Sequence, residues 1–240
     1  MKTVSNSQNL QVLFEDNHLI IINKRPGDIV QGDKSKDTPL AEIVKKYIKI
    51  RYKKPGNVYL GIIHRIDRPT SGIVVFAKTS KALSRMNSML KNQEINKLYW
   101  AITQNKPKNK TGKLTHWLKK NPKNNKSTHF SKETNNAKKA VLNYKLLKTL
   151  EKYYLLEIKM ESGRHHQIRC QLQAIGCTIK GDIKYGSKRT NPDGSIDLHA
   201  RNLQFAHPVT KKEIDITAPV RDGKIWKSCI FTPKNNKKNS

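Results

Sequence analysis

Apolar residues reach this chain in short bursts rather than long runs. "QVLFED" and "HLIIINK" follow one another around the polar pair Asp16-Asn17, which predicts two short strands joined as a hairpin. "KRPGD" then breaks the pattern. Over residues 37–54 the period changes: Leu40, Ile43, Val44, Tyr47 and Ile48 fall on one helical face, with Asp37 or Thr38 as the expected cap and Pro55-Gly56 as the stop. A second helix is predicted over 79–94, capped by Thr79 or Ser80, with Leu83, Met86 and Leu90 on one face.

Between those helices lies "GIIHRIDRPTSGIVVFAKTS", residues 61–80: one apolar run, a charged turn, then another apolar run. "KLYWAITQ" reads as a strand, and "AVLNYKLLKTL" with "EKYYLLEIKM" as a strand pair. "GRHHQIRCQLQAIG" is a helix candidate that ends at Gly176. "LHARNLQFAHPVTKKEIDITAP" predicts two further strands around Pro208. Residues 104–139 are dense in Lys, Asn and Thr; apart from one strand at "KLTHWL" they read as a long mobile excursion, either a solvated loop or an RNA-contacting arm. Strands outnumber helices and come in adjacent pairs. The expected class is therefore α+β, a mostly antiparallel mixed central sheet with flanking helices. The expected organisation is a short extension over 1–10, one domain over 11–232 and a frayed basic tail over 233–240.

Charge adds a class of partner. The formal net charge is +30 in 240 residues, a field that attracts polyanions, with RNA and DNA foremost. Part of the excess fits a drift toward Lys and Asn codons, since Lys numbers 38 against 10 Arg, with 21 Asn. The three cysteines lack zinc-site spacing, and an odd count in a chain of this size argues against a disulfide framework, so a reducing, cytoplasmic setting is expected. No secretory h-region is visible at the amino terminus, and the apolar runs are too short to span a bilayer. A monomer is the default expectation.

Three groups of residues could carry chemistry. Asp67 sits on the turn between two apolar runs, flanked by Arg65 and Arg68, which could keep it ionised as a nucleophile or base. Taken alone, its spacing favours an Asp that caps the turn at Pro69, since Asp before Pro is common in turns. In "ESGRHHQIRCQL", Arg164, His165, His166 and Arg169 crowd a helix start, a natural place for a phosphate. Adjacent histidines on a helix diverge by about 100° and make a weak metal pair. Tyr99 in its strand is core by default, but beside a cationic site it could stack on a base.

Together these residues resemble a family. "HRIDRPTSG" is similar to the signature of the RluA-type pseudouridine synthases, which isomerise uridine in ribosomal or transfer RNA. "LFEDNHLIIINKRPG", "NKLYWA", "GRHHQIR", "GDIKYG" and "LHARNLQFAHPVT" resemble further family segments in the same order. The resemblance implies that Asp67 is the catalytic aspartate acting on a flipped-out uridine, and that Arg65 fills the space left by the base or holds its phosphate. It implies that Tyr99 packs against the uracil, Ile168 closes the other side of the base, Arg169 ion-pairs with Asp67, and Arg164 meets a backbone phosphate. No metal, nucleotide or redox cofactor is implied. Many relatives carry an S4-type RNA-binding domain ahead of the catalytic domain; only about ten residues precede the first strand here, so that module is expected to be absent. The alternative is a catalytically silent RNA-binding or ribosome-assembly protein on the same fold.

Overall fold

The computed structural model describes residues 4–33 and 35–230; the expected tail at 233–240 lies outside the described residues. Its elements are β1 (Val12–Glu15), β2 (Leu19–Lys24), α1 (Leu40–Arg51), β3 (Gly61–Ile62), β4 (Ser71–Ala77), α2 (Ser80–Lys91), β5 (Asn96–Thr103), β6 (Thr111–Asn121), β7 (Lys126–Phe130), β8 (Lys138–Thr149), β9 (Tyr154–Met160), α3 (Gln167–Ala174), a 3₁₀ turn at Ile183–Tyr185, β10 (Leu198–Ala206), β11 (Glu213–Thr217) and α4 (Lys224–Cys229). The strands form one sheet in the order β1-β2-β4-β10-β5-β9-β8-β6-β7, with β3 on β4 and β11 on β10. Among these pairings only β4–β10 is parallel. The α+β class and the mostly antiparallel mixed sheet are as the strand pairs predict.

Strand alternation sorts the side chains into two layers. On one face Ile21, Val75, Tyr99, Ala101 and Ile158 join α2 and α3 through Met86, Ile168 and Leu172. On the other, Ile20, Ile22, Val74 and Phe76 meet α1 through Leu40, Val44 and Ile48, while Trp100 and Ile102 meet α4 through Trp226 and Cys229. β2 and β4 are buried on both faces. That is why "LIII" and "GIVVFA" read as unbroken apolar runs.

Asp16 closes the β1–β2 hairpin by accepting from the N–H groups of His18 (2.8 Å) and Leu19 (2.7 Å). Thr79 caps α2 through the Ala82 N–H (3.2 Å). α1 departs from expectation. Its N-cap is Pro39, and the Ile29 and Val30 carbonyls accept from the Leu40 and Ala41 N–H groups in place of a side-chain cap. Asp37 instead pairs with Arg68.

The larger correction concerns residues 104–139. They are an ordered hairpin, β6 and β7, not a mobile excursion. β6 pairs with β8 over eight residues, Thr111 to Leu118. Its turn side is pinned to the far end of the chain: the Tyr185 hydroxyl accepts from the Ser127 N–H (2.8 Å), Cys170 Sγ donates to the Ser127 carbonyl (3.3 Å), and Leu118 shares a small core with Ala140, Cys170 and Tyr185.

Candidate active site

Asp67 lies in the loop between β3 and β4, and that loop is held from several sides. The Asp67 carbonyl accepts from the Thr70 N–H (3.0 Å), the Arg68 carbonyl from the Gly27 N–H (2.7 Å), and the Pro69 carbonyl from the Ile196 N–H (3.1 Å). Lys24, 1% exposed, donates to the carbonyls of Arg25 (2.9 Å), Asp28 (2.8 Å) and Arg68 (3.1 Å), tying the "NKRPG" loop to the Asp67 loop. Where the loop enters β4, Gly72 has φ +109°, and a Cβ there would lie 2.3 Å from the Ala200 carbonyl oxygen. Only glycine lets β4 and β10 approach this closely.

The carboxylate itself does not cap the turn. Its side chain is 27% exposed and meets Arg169 Nη1 at 2.9 Å and His166 Nε2 at 3.6 Å. Burial opposes its ionisation. The imidazole of His166 and the guanidinium of Arg169 act the other way, and the net places the carboxyl below the ordinary carboxylate range. Burial pushes His166 down to about 3, so it is neutral at pH 7. The permanent charge that keeps Asp67 ionised is therefore Arg169. The sequence neighbours Arg65 and Arg68 do not serve: both are exposed, Arg65 reaching Gln31 (3.3 Å) and Arg68 pairing with Asp37.

Arg169 owes its position to a partner that sequence spacing did not disclose. Asp182, 1% exposed, accepts from Arg169 Nε (2.7 Å) and Nη2 (2.8 Å). Burial works against the guanidinium charge, and the hydrogen bonds and field of Asp182 with the field of Asp67 more than offset it, so its pKa is raised. One edge of the guanidinium is thus fixed by Asp182 and the other presented to Asp67, a bidentate use that Lys could not reproduce. Arg169 also lies 5.0 Å over the Tyr185 ring, and the Tyr185 hydroxyl meets His166 Nδ1 at 3.0 Å. "GDIKYG", which supplies Asp182 and Tyr185, was legible only as a segment of family resemblance.

α3 is shorter than predicted and starts at Gln167, because His166 adopts φ 53° in the left-handed region. His165 and His166 therefore precede the helix, and their rings stack at 3.8 Å instead of diverging. Among the described residues no group of three His, Cys, Asp or Glu could hold a metal. Burial also pushes His64 down, to about 4, and its Nε2 accepts from the Val75 N–H (3.2 Å), a structural use.

Tyr99 projects from β5 into the core layer that includes Ile168 and α3. It is 9% exposed, and burial followed by the field of Asp67 raises its pKa well above the ordinary phenol value. Asp67, Tyr99 and Arg169 thus belong to one electrostatic neighbourhood, with Ile168 buried one residue before Arg169. Arg164 stands apart on the exposed rim, its Nε donating to the Lys139 carbonyl (3.0 Å). Two cavities of about 430 and 640 Å³ lie behind the Asp67 loop and toward α1; Asp67 lines neither. The Asp67 side chain is partly buried and keeps 27% of its surface open to solvent.

A family model described as RNA pseudouridylate synthase matches residues 18–174. Ribosomal large subunit pseudouridine synthase D of Zymomonas mobilis is 30% identical over 87% of this chain and 68% of its own length. Ribosomal large subunit pseudouridine synthase C of Rickettsia typhi is 32% identical over 86% of this chain and 67% of its own. An uncharacterized RNA pseudouridine synthase of Synechocystis is 32% identical over 88% and 65%. The chain thus spans about two thirds of the length of these relatives. Human RNA pseudouridylate synthase domain containing 4 shares the fold, with a TM-score of 0.74, 22% identity and 90% of each chain covered.

Proposed function

Because this chain belongs to the RNA pseudouridylate synthase family, we propose that it isomerises a uridine of ribosomal RNA to pseudouridine, with Asp67 as the catalytic carboxylate. The observation that supports this most directly is the Asp67 carboxylate itself: partly exposed on an anchored loop, and kept ionised by a guanidinium fixed from behind. The ribosomal substrate rests on what the relatives from Zymomonas and Rickettsia are called.

In the isomerisation the N1–C1′ bond of uridine breaks and a C5–C1′ bond forms. The C5 proton leaves and N1 gains one, so every atom of the reactant is in the product and no oxidant or reductant is consumed. A base inside a stacked helix cannot meet Asp67, so the uridine is extruded at a cost of a few kcal/mol. The ionised Asp67 attacks the extruded nucleotide or assists glycosidic cleavage, and Arg169 stabilises the charge on its carboxylate throughout. Tyr99 covers one face of the uracil and Ile168 the other. Arg65, exposed beside the loop, fills the vacated stack or takes the phosphate, and Arg164 meets a backbone phosphate further out. The site acts in the cytoplasm, where ribosomal RNA is found; among the described residues no helix is long and apolar enough to cross a membrane.

The test is the purified protein with a ribosomal RNA transcript, read by chemical mapping of pseudouridine. Product with the wild type, and its loss in Asp67→Ala with RNA affinity within about threefold, is expected. RNA binding without product by the wild type would instead identify a silent RNA-binding protein.

A further inference from the structure

Lys97 is a cation that has no ion-pair partner among the described residues. It lies two residues before Tyr99 on β5, so both side chains leave the same face of the strand, about 6.7 Å apart along it. Its ammonium lies 4.0 Å from where a Cβ at Gly163 would begin, under the loop that leads to Arg164, His165 and His166. His64, in the Asp67 loop, feels its field, after the larger effect of burial. Lys97 is half-buried, and burial lowers its pKa. Among the described residues no carboxylate or carbonyl bonds to it. Asp67 pairs with Arg169, and Glu161 with Lys113 (3.0 Å) and Asn143 (2.7 Å), so neither acid is paired with Lys97.

Burying an ammonium without a partner costs free energy that surface lysines avoid. A lysine held this way, one strand repeat from the ring proposed to cover the base, is placed for an anion that arrives with the substrate. A phosphodiester lies one ribose from its base, a span of the same order as two residues of strand. We propose that Lys97 is a substrate-binding residue that takes a backbone phosphate of the RNA next to the extruded uridine. The inference rests on the RNA reading of the site and adds to it a specific grip on the reacting nucleotide.

Lys97→Met keeps the stem and removes the charge; Lys97→Arg keeps the charge. Affinity for a uridine-containing stem-loop of ribosomal RNA is measured by fluorescence anisotropy across a salt series, alongside steady-state pseudouridine formation and thermal melts of the free protein. Lys97→Met is expected to reduce the slope of log K against log salt by about 0.7–0.9, one phosphate contact. It should also lower kcat/KM about tenfold, chiefly through KM, and leave the melting temperature equal or higher, because an unpaired cation has gone. Lys97→Arg should keep the wild-type slope. An unchanged slope in Lys97→Met, or a lower melting temperature with RNA affinity intact, overturns the proposal and makes the lysine structural. The slope is read on binding alone. If the wild type formed no pseudouridine, the catalytic reading would fall while the Lys97 result still stood or failed by itself.

Discussion

The guanidinium of Arg169 joins two carboxylates, and replacing one of them separates its structural role from the part proposed for it in the reaction. Asp182→Asn removes the charge behind Arg169 and one acceptor of the fork, whose bonds are 2.7 and 2.8 Å. Both side chains are almost wholly buried, at 6% and 1% exposed. Removing one partner of such a pair costs about 3–5 kcal/mol, and Asn, which keeps a carbonyl oxygen, belongs at the low end. For a domain of this size 1 kcal/mol shifts the melting temperature by about 2–4 °C, so a fall of roughly 6–12 °C is expected. Arg169→Met should cost as much, because it strands Asp182 in the core. The double variant strands neither Arg169 nor Asp182 in the core, and Asp67 loses its ion pair in Arg169→Met as well, so its destabilisation should be less than the sum of the singles by at least about 2 kcal/mol. Activity should not follow stability. Asp182→Asn, with Arg169 free to shift, should lose about 10–100-fold in single-turnover rate. Arg169→Met and the double variant should both be nearly inactive, since Asp67 then has only a neutral imidazole at 3.6 Å. Melting curves and single-turnover pseudouridine formation on all four proteins complete the cycle. Strict additivity of the two stability losses, or activity regained in the double variant, would refute the reasoning.

Acid should unfold the protein early. Burial holds His64, His166 and His199 near 4, 3 and 4, whereas an unfolded imidazole titrates near 6.5. In that window the unfolded chain binds more protons, so the stability these groups contribute is complete above about pH 6.5 and drains away as pH falls toward 4 and then 3. The melting temperature should drop between pH 7.5 and 4.5, and a flat profile there would contradict the burial of these rings. Gly72→Ala should be severe, because its Cβ would strike the Ala200 backbone at a φ that alanine resists. We expect a loss of more than about 2 kcal/mol in denaturant titration, with activity reduced as the Asp67 loop shifts. A variant with wild-type stability and rate would show that β4 and β10 tolerate separation.

How much of this was legible in the sequence depends on where each residue's partner sits. The β1–β2 turn, the bodies of both long helices and the Thr79 cap rest on contacts within four residues, and composition and period suffice for those, whereas the start of α1 rests on the distant Ile29 and Val30 carbonyls. The segment 104–139 misled because its order comes from outside it. β6 alternates half-buried and exposed positions that Lys and Thr can occupy, so its apolar signal is confined to "KLTHWL", while the pairing that straightens it comes from β8 and its anchor from Tyr185. The start of α3 misled for the same reason, since His166 is held outside the helix by Tyr185, nineteen residues on. At the site, the charges nearest to Asp67 in sequence proved not to be its partners. The correct one came only through family resemblance, and Asp182 behind it had no local signal at all.

That dependence on distant partners explains how an open loop can present a fixed carboxylate. Asp67 enters β4, Tyr99 lies on β5, α3 with Arg169 follows β9, and Asp182 is on the segment that leads into β10. In the sheet these four strands are consecutive, β4-β10-β5-β9, so residues up to 115 positions apart are brought side by side by backbone hydrogen bonds rather than by the site's own contacts. The elements that carry these groups are thus set by the sheet, with the Asp182 side chain fixing the Arg169 guanidinium within that frame, and β4, β5 and β10 are buried along most of their length. Precision at Asp67 is therefore a property of the sheet core, whereas the proposed function assigns affinity for the polyanion to side chains such as Arg65, Arg164 and Lys97 around it. Substitutions in the first group should move stability and rate together, and substitutions in the second should move RNA affinity and its salt dependence while leaving the melt intact. A rim variant that melted like a core variant would break that division.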